Sequence, residues 1–259
     1  MTRAGVEAFA WREAHGVPWL EAPLPGARAA FSTRLGGASA APYDSLNLGI
    51  LTDDDPALVR ANRRTLAGAL GRDADGIAFG LQVHGADVQV HERPPSGGEP
   101  VPSDAQATAG ADLTPLVLVA DCFPLALAAP GAVAMAHCGW RGIASDVIAN
   151  AVEAIARLAG CQAGDVHAAL GPGIRACCYQ VGPEVRATFE RLGHHDAVRP
   201  GGMLDLAAAV RSALEQCGVS AERLSDTGLC TSCEPERFFS HRRDGGVTGR
   251  QAGLIWRSS

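Results

Sequence analysis

The chain has 259 residues, 47% of them hydrophobic and 19% charged, which is enough apolar material for a large core and excludes disorder at scale. Its net charge of −6, with scattered arginines, leaves no basic footprint for nucleic acid or an anionic membrane. All 22 basic residues are arginine. Schiff-base lysine chemistry and the lysine of a phosphate-binding P-loop are therefore excluded, and any phosphate must be held by arginine and backbone amides.

The amino-terminal stretch carries charges throughout and lacks the apolar core of a secretory signal, which points to the cytoplasm. Arg28 to Arg34 reads as a strand that runs into a glycine-rich loop, Leu35 to Gly49. Pro56 opens a helix to about Leu70, closed by Gly71. Residues 77–83 and 87–92 read as two strands interrupted at His84 and Gly85. Residues 93–111 are polar and rich in Pro, Gly and Ser, so they read as a surface loop. Three short apolar runs follow, Leu116 to Ala120, Leu125 to Ala129 and Ala132 to His137. They are broken by Asp121, Pro124, Pro130 and Gly131, so they are buried strands and not a membrane span.

A helix with regular apolar spacing is expected from about Ile143 to Ala159, stopped by Gly160. A strand near Val166 to Leu170 comes next. Helices are expected over Pro183 to Leu192 and Leu206 to Cys217, the second capped by Asp205. A last strand lies within Arg250 to Arg257. Strands and helices interleave irregularly and several hairpins occur. This excludes a doubly wound parallel sheet and predicts an α+β fold, a single domain over residues 1–259 with mixed β-sheets flanked by helices.

Pro130 and Gly131 make a two-residue turn that sets Leu125 opposite Ala136 and Leu127 opposite Ala134, so that large residues meet small ones. Extended outward, this register places Cys122 and His137 on one face as diagonal neighbours, about 7–8 Å apart at the backbone. A thiolate and an imidazole so placed can share a metal ion, whereas a slip of one residue separates them. His84 stands where a strand breaks, and nothing local brings it to the hairpin. From spacing alone, a structural histidine and an inert buried cysteine remain the commoner outcome.

Eight cysteines in a chain of cytoplasmic character read as thiols rather than a disulfide framework. Cys230 and Cys233 have redox or zinc-ribbon spacing. No second pair stands at a matching distance, since Cys177 and Cys178 are adjacent, so a merely structural reading is preferred. The charged turn Arg242, Arg243 and Asp244 reads mainly as a solvated surface feature.

The motifs LQVHGADV, ADCFPL, AHCGWRG and GPGIRACCYQVG, with AFSTRLGGAS and YDSLNLG before them and FFSHRRDGGVTGRQ after, resemble the YfiH-like family over nearly the whole chain. This family was first labelled laccase-domain or polyphenol oxidase and is now described as purine nucleoside phosphorylases with adenosine deaminase activity. The resemblance implies a metal site of His84, Cys122 and His137, carrying zinc in preference to copper. It implies phosphate and purine nucleosides as substrates (adenosine, inosine, guanosine and methylthioadenosine) and a monomer or homodimer. By the same resemblance Asn47 and Gln82 belong near the pocket. Gln180 departs from the family pattern, where glutamate is common. Cys138 replaces a common alanine and should point to the opposite face of its strand from His137.

Two histidines and one thiolate leave a fourth zinc position open, the pattern of catalytic zinc. Such an ion can activate water or polarise a substrate oxygen. The usual zinc-deaminase signature is absent, so deamination here would be an unrelated solution. Arg34, beside the glycine pair, is the leading phosphate candidate, while Arg141 and Asp121 adjoin the ligands. Asp121 either orients a ligand histidine or caps a turn. Three alternatives stay open. One is a cysteine hydrolase or transferase with Cys122 as nucleophile and His137 as base. Another is a non-catalytic interaction protein that keeps the pocket, and the last, from the older family name, is a copper-dependent polyphenol oxidase. A multicopper centre needs more histidines than eight can supply, since His15, His167, His194 and His195 lie outside every motif.

Overall fold

The computed structural model describes residues 9–94 and 100–258. The chain opens with a meander of β1 (Ala10–Ala14), β2 (Val17–Leu24) and β3 (Ala27–Ser32). After the glycine-rich loop comes α1 (Pro56–Ala69), whose Asp55 side chain accepts a hydrogen bond from the Ala57 amide. Pro56 begins the helix where its missing N–H has no cost. The short strands β4 (Ile77–Ala78), β5 (Val88–Val90) and β6 (Ala105–Thr108) follow, and then β7 (Thr114–Val119). The hairpin β8 (Phe123–Ala129) and β9 (Ala132–Cys138) turns on Pro130 and Gly131, the glycine adopting φ 87°. Helices α2 (Trp140–Ala144) and α3 (Val147–Ala159) lead to β10 (His167–Leu170). Then come α4 (Pro183–Arg191), the ribbon of β11 (Val198–Arg199) and β12 (Met203–Leu204), α5 (Leu206–Gln216), β13 (Leu224–Asp226) and β14 (Gln251–Arg257).

These strands build two six-stranded mixed sheets, ordered β1-β2-β3-β14-β7-β4 and β13-β10-β8-β9-β6-β5. The alternation of side chains along β8 and β9 decides what each face meets. Ala126, Ala128, Val133 and Met135 pack with Phe31, Val117 and Ile255 of the first sheet to form the layer between the sheets. Leu125, Leu127, Ala134 and Ala136 face the other way, onto Ile148, Ile155 and Val210 of α3 and α5. Leu66 and Ala67 of α1 cover the outer face of the first sheet, against Trp256 and Leu254. The result is an α+β fold of two packed sheets with helices on both outer faces. No described helix is long and apolar enough to cross a membrane.

The hairpin register is the expected one, with Leu125 opposite Ala136 and Leu127 opposite Ala134. Cys138 points into the helix-side core, away from the face that carries His137. Three expectations need correction. Part of 93–111 is not a surface loop: residues 105–108 form β6, fully buried between β5 and β9. Its sequence, AQAT, is too weakly apolar to stand out in a polar stretch, and its burial comes from neighbours on both edges. Residues 95–99 of that segment lie outside the described residues. The helix expected from Ile143 is broken, since Asp146 takes the left-handed conformation at φ 70° and separates α2 from α3. Aspartate tolerates that conformation better than most residues. The β1–β2 hairpin carries no turn signal as strong as Pro130-Gly131 and was not anticipated.

The two sheets approach closely at Gly253, in the middle of β14. A methyl group there would meet Pro124 Cβ at 2.5 Å and Met135 Sδ at 3.0 Å. Gly253→Ala should therefore overpack the inter-sheet layer and cost about 1–3 kcal/mol. Urea unfolding at constant m-value measures this directly, and an unchanged midpoint would contradict the close approach.

Candidate metal centre

His137 lies on the inter-sheet face of β9, near the end of that layer. Cys122 precedes β8 on the same face, as the hairpin register requires. His84 arrives from the segment between β4 and β5, in the left-handed region at φ 59°. The nitrogen and sulfur ligand atoms of His84, Cys122 and His137 all lie within 4.8 Å of one another. The two imidazole rings sit 4.9 Å apart between centroids. An ion with bonds of about 2.0–2.3 Å fits such a set with small side-chain adjustments. Gly139 keeps the space open, because a Cβ there would stand 3.0 Å from Cys122 Sγ and 3.2 Å from His84 Nδ1.

What brings His84 to the hairpin is Asp104, a fully buried carboxylate just before β6. Asp104 stands across from His137, whose backbone N–H donates to the Asp104 carbonyl at 2.8 Å. Its Oδ1 also lies 2.7 Å from His137 Nδ1. The same carboxylate accepts from three successive amides, Val83 at 3.0 Å, His84 at 3.0 Å and Gly85 at 2.7 Å. One carboxylate thus fixes the His137 ring, leaving Nε2 for the ligand cluster, and clamps the backbone that carries His84. This is the carboxylate-histidine arrangement that orients metal ligands. Burial alone would raise the Asp104 pKa, but the His137 and backbone hydrogen bonds hold it below the ordinary carboxylate value. Burial alone would likewise lower His137, yet Cys122 and Asp104 bring it up to about 9. His84 is lowered, by burial first and then by its neighbour His137.

All three ligands line a cavity of about 480 Å³. Phe79, Leu81 and Leu118 supply apolar wall, and Arg63, Arg250 and His241 supply polar groups. Burial lowers the pKa of both arginines below the ordinary value. Neither forms a salt bridge with a described carboxylate. Two partly desolvated guanidinium groups, neither in a salt bridge with a described carboxylate, thus share one wall.

The other candidates are placed differently. Gln82 lines the cavity, with its amide group paired to the Leu118 backbone through both of its ends at 2.8 Å. Asn47 is fully buried behind the wall, where its Oδ1 accepts from the Gly49 amide at 3.0 Å and the Arg250 amide at 2.9 Å. It is a positioning residue for Arg250. Arg34 is not in the cavity wall. It stacks over Phe239 and donates to Asp44 and to the Pro235 carbonyl, pinning the glycine-rich loop. Arg141 lies over the Trp140 ring at 4.3 Å. Asp121 does not orient a ligand histidine: it accepts from Thr231 Oγ1 and from the Arg242 amide, each at 2.7 Å, and Asp104 takes the orienting role. The charged turn is not merely solvated either, since Arg243 donates to the Thr231 and Phe238 carbonyls and to Asp244.

Sequence reasoning missed Asp104, Arg63, Arg250 and His241. Asp104 sat in the supposed surface loop, and Arg63 is one of several arginines of α1 with no local sign that it faces a cavity. Arg250 and His241 lay within the carboxyl-terminal motif without a local sign of where they point. Replacing Asp104 by Asn keeps the shape but turns an amide N–H₂ toward amide donors and removes the charge on His137. Metal affinity should fall roughly 10–100-fold. Competition with a chromophoric chelator measures this, and unaltered affinity in the folded variant would show that the clamp does not tune the ligands.

A family model described as "Multi-copper polyphenol oxidoreductase laccase" matches residues 28–258. The chain is 42% identical over 248 residues to a purine nucleoside phosphorylase of Deinococcus radiodurans, covering 93% of this chain and 94% of the relative. It is 41% identical to one of Streptomyces coelicolor, covering 89% of this chain and 96% of the relative. Among solved structures, YfiH of Bacillus licheniformis superposes with a TM-score of 0.88 at 30% identity, over 96% of this chain and 99% of that one. YlmD of Geobacillus stearothermophilus superposes with a TM-score of 0.85 at 34% identity, over 96% and 98%. The match of fold, length and sequence places this chain in the laccase-domain YfiH/YlmD family, whose curated relatives carry the name purine nucleoside phosphorylase.

Proposed function

We propose that this protein is a zinc-dependent, cytoplasmic purine nucleoside phosphorylase that acts on adenosine, inosine, guanosine and methylthioadenosine and also deaminates adenosine. The observation that carries the reading is a single cavity wall holding both the ligand cluster of His84, Cys122 and His137 and the two arginines Arg63 and Arg250, neither in a salt bridge with a described carboxylate. The names of the relatives support the same reading. A volume of about 480 Å³ suits a small ligand with apolar and polar ends.

When bound by His84, Cys122 and His137, zinc would supply Lewis acidity, polarising a substrate oxygen or lowering the pKa of a water molecule. The chain's own residues divide the remaining work. Arg63 and Arg250 hold inorganic phosphate by charge and hydrogen bonds, as lysine does elsewhere. Phe79, Leu81 and Leu118 accept the purine and exclude water from around it. In phosphorolysis a phosphate oxygen bonds to the anomeric carbon while the carbon–nitrogen bond breaks and its electron pair leaves with the purine. His241, the one imidazole of the described wall that is not a ligand, is placed to give the departing base its proton. Copper is the metal suggested by the family description. Electron-transfer copper sites of two histidines and a cysteine add a weak axial thioether or a glutamine or backbone oxygen; no methionine is among the described lining residues, and both ends of the Gln82 amide are already paired with the Leu118 backbone.

Incubating purified protein with inosine should release hypoxanthine and ribose 1-phosphate only when phosphate is present. Adenosine alone should yield inosine. Hypoxanthine formed equally well without phosphate would replace phosphorolysis with hydrolysis. Arg250→Gln should raise the KM for phosphate roughly 10–100-fold, with much less change in the KM for inosine. Cys122→Ala should lose the metal held with His84 and His137 and both activities together. Full activity in metal-free protein would instead favour Cys122 as a nucleophile.

A further inference from the structure

Away from the cavity, the fold brings together four thiols that the sequence leaves far apart. Cys177 and Cys178 lie in the loop after β10, and Cys230 and Cys233 in the loop after β13. Their Sγ atoms all fall within 4.8 Å of one another. Cys177 Sγ is 3.7 Å from Cys230 Sγ and 3.6 Å from Cys233 Sγ, and Cys178 Sγ is 3.4 Å from Cys233 Sγ. A tetrahedral ion with zinc–sulfur bonds of about 2.3 Å sets its sulfurs roughly 3.8 Å apart. The observed spacings stand close to that figure. They are well beyond the ~2.05 Å of a disulfide, and all four cysteines are free.

We propose that Cys177, Cys178, Cys230 and Cys233 form a second metal site, a structural zinc ion held by four thiolates. Packing gives no other account of the grouping, since Cys177 and Cys233 are exposed and only Cys230 is buried. The backbone around the thiols is arranged as thiolate ligands require. The Arg175 amide donates to Cys230 Sγ at 3.4 Å, which compensates negative charge on sulfur. Each pair also sits in a tight turn. The Cys178 and Tyr179 amides both donate to the Arg175 carbonyl, at 2.9 and 3.0 Å, and the Cys233 and Glu234 amides both donate to the Cys230 carbonyl, at 3.2 Å. Spacing alone argued against this site because adjacent cysteines match no ribbon pattern. The turn at 176–178 lets both face the same point.

The ion would staple two loops that already touch through the bridge between Gly173 and Cys230. Thr231 lies within the staple, and its hydroxyl donates to Asp121, the neighbour of Cys122. The second ion thus braces the segment that presents a ligand of the first, without entering the cavity.

Metal analysis of full-length protein, purified under reducing conditions without added metal, tests the proposal. Wild type should hold two zinc ions per chain. A His84→Ala/Cys122→Ala variant should retain one, and Cys177→Ser/Cys233→Ser should also retain one, still bound at the first site. Cobalt substituted into the His84→Ala/Cys122→Ala variant should show the intense thiolate-to-cobalt charge transfer of a four-sulfur site. Native mass spectrometry of wild type gives the count without any substitution. The proposal is overturned if wild type binds a single ion that disappears with Cys122, if iron replaces zinc at the thiols, or if alkylation without reduction finds these cysteines paired as disulfides.

Discussion

Everything at the ligand cluster depends on the Asp104 carboxylate, which is wholly removed from water and must find compensation inside the protein. It does so by collecting three backbone N–H groups from residues 83–85 and the Nδ1 side of His137. Removing any one of these partners leaves charge or a donor unsatisfied in a low-dielectric interior, so the arrangement is cooperative rather than a set of separate contacts. The clamp joins a loop with no regular structure to the fully buried central hairpin. It allows His84, at a positive φ that costs strain, to stay in place beside the other ligands.

The sheet geometry sets where that cluster opens. Because side chains alternate along β8 and β9, Cys122 and His137 share the face that looks between the two sheets, while Cys138 joins the core beneath α3. Near the end of the inter-sheet layer the apolar packing gives way to a cavity whose wall is completed by Arg63 from α1 and Arg250 from just before β14. Asn47 ties the Arg250 backbone to the loop after Gly49, so the glycine-rich segment shapes the anion side of the cavity even though Arg34 faces elsewhere. Neither arginine forms a salt bridge with a described carboxylate, and burial makes the charge of each costly in that wall.

A second layer of support runs through Asp121. Its positive φ of 90° turns the chain from β7 into Cys122, and its carboxylate is held by Thr231 and the Arg242 amide. The loops that carry the four clustered thiols are thus tied to the segment before β8 by hydrogen bonds, from Thr231 Oγ1 to the Asp121 carboxylate and from the Ile174 amide to the Asp121 carbonyl. Rigidity at that segment matters because a metal ligand displaced by a fraction of an ångström changes the coordination geometry.

Much of the fold was legible in the sequence. The short apolar runs and the Pro130-Gly131 turn determined the hairpin, its register and the shared face of Cys122 and His137. Apolar spacing with Pro56, Asp205 and Gly160 as boundary residues determined α1, the end of α3 and α5, because helix ends depend on local backbone chemistry. Family motifs, not spacing, added His84. Tertiary structure alone decided the rest, for a common physical reason: the signal lies in partners distant along the chain. Four residues of modest hydrophobicity become a buried strand only because β5 and β9 cover both edges. Asp104 resembles any loop carboxylate until three amides and an imidazole converge on it. Arg63 and Arg250, 187 positions apart by their numbering, share a cavity wall only once α1 and the segment before β14 are folded together. The adjacent Cys177 and Cys178 gain their partners only when two loops fold against each other.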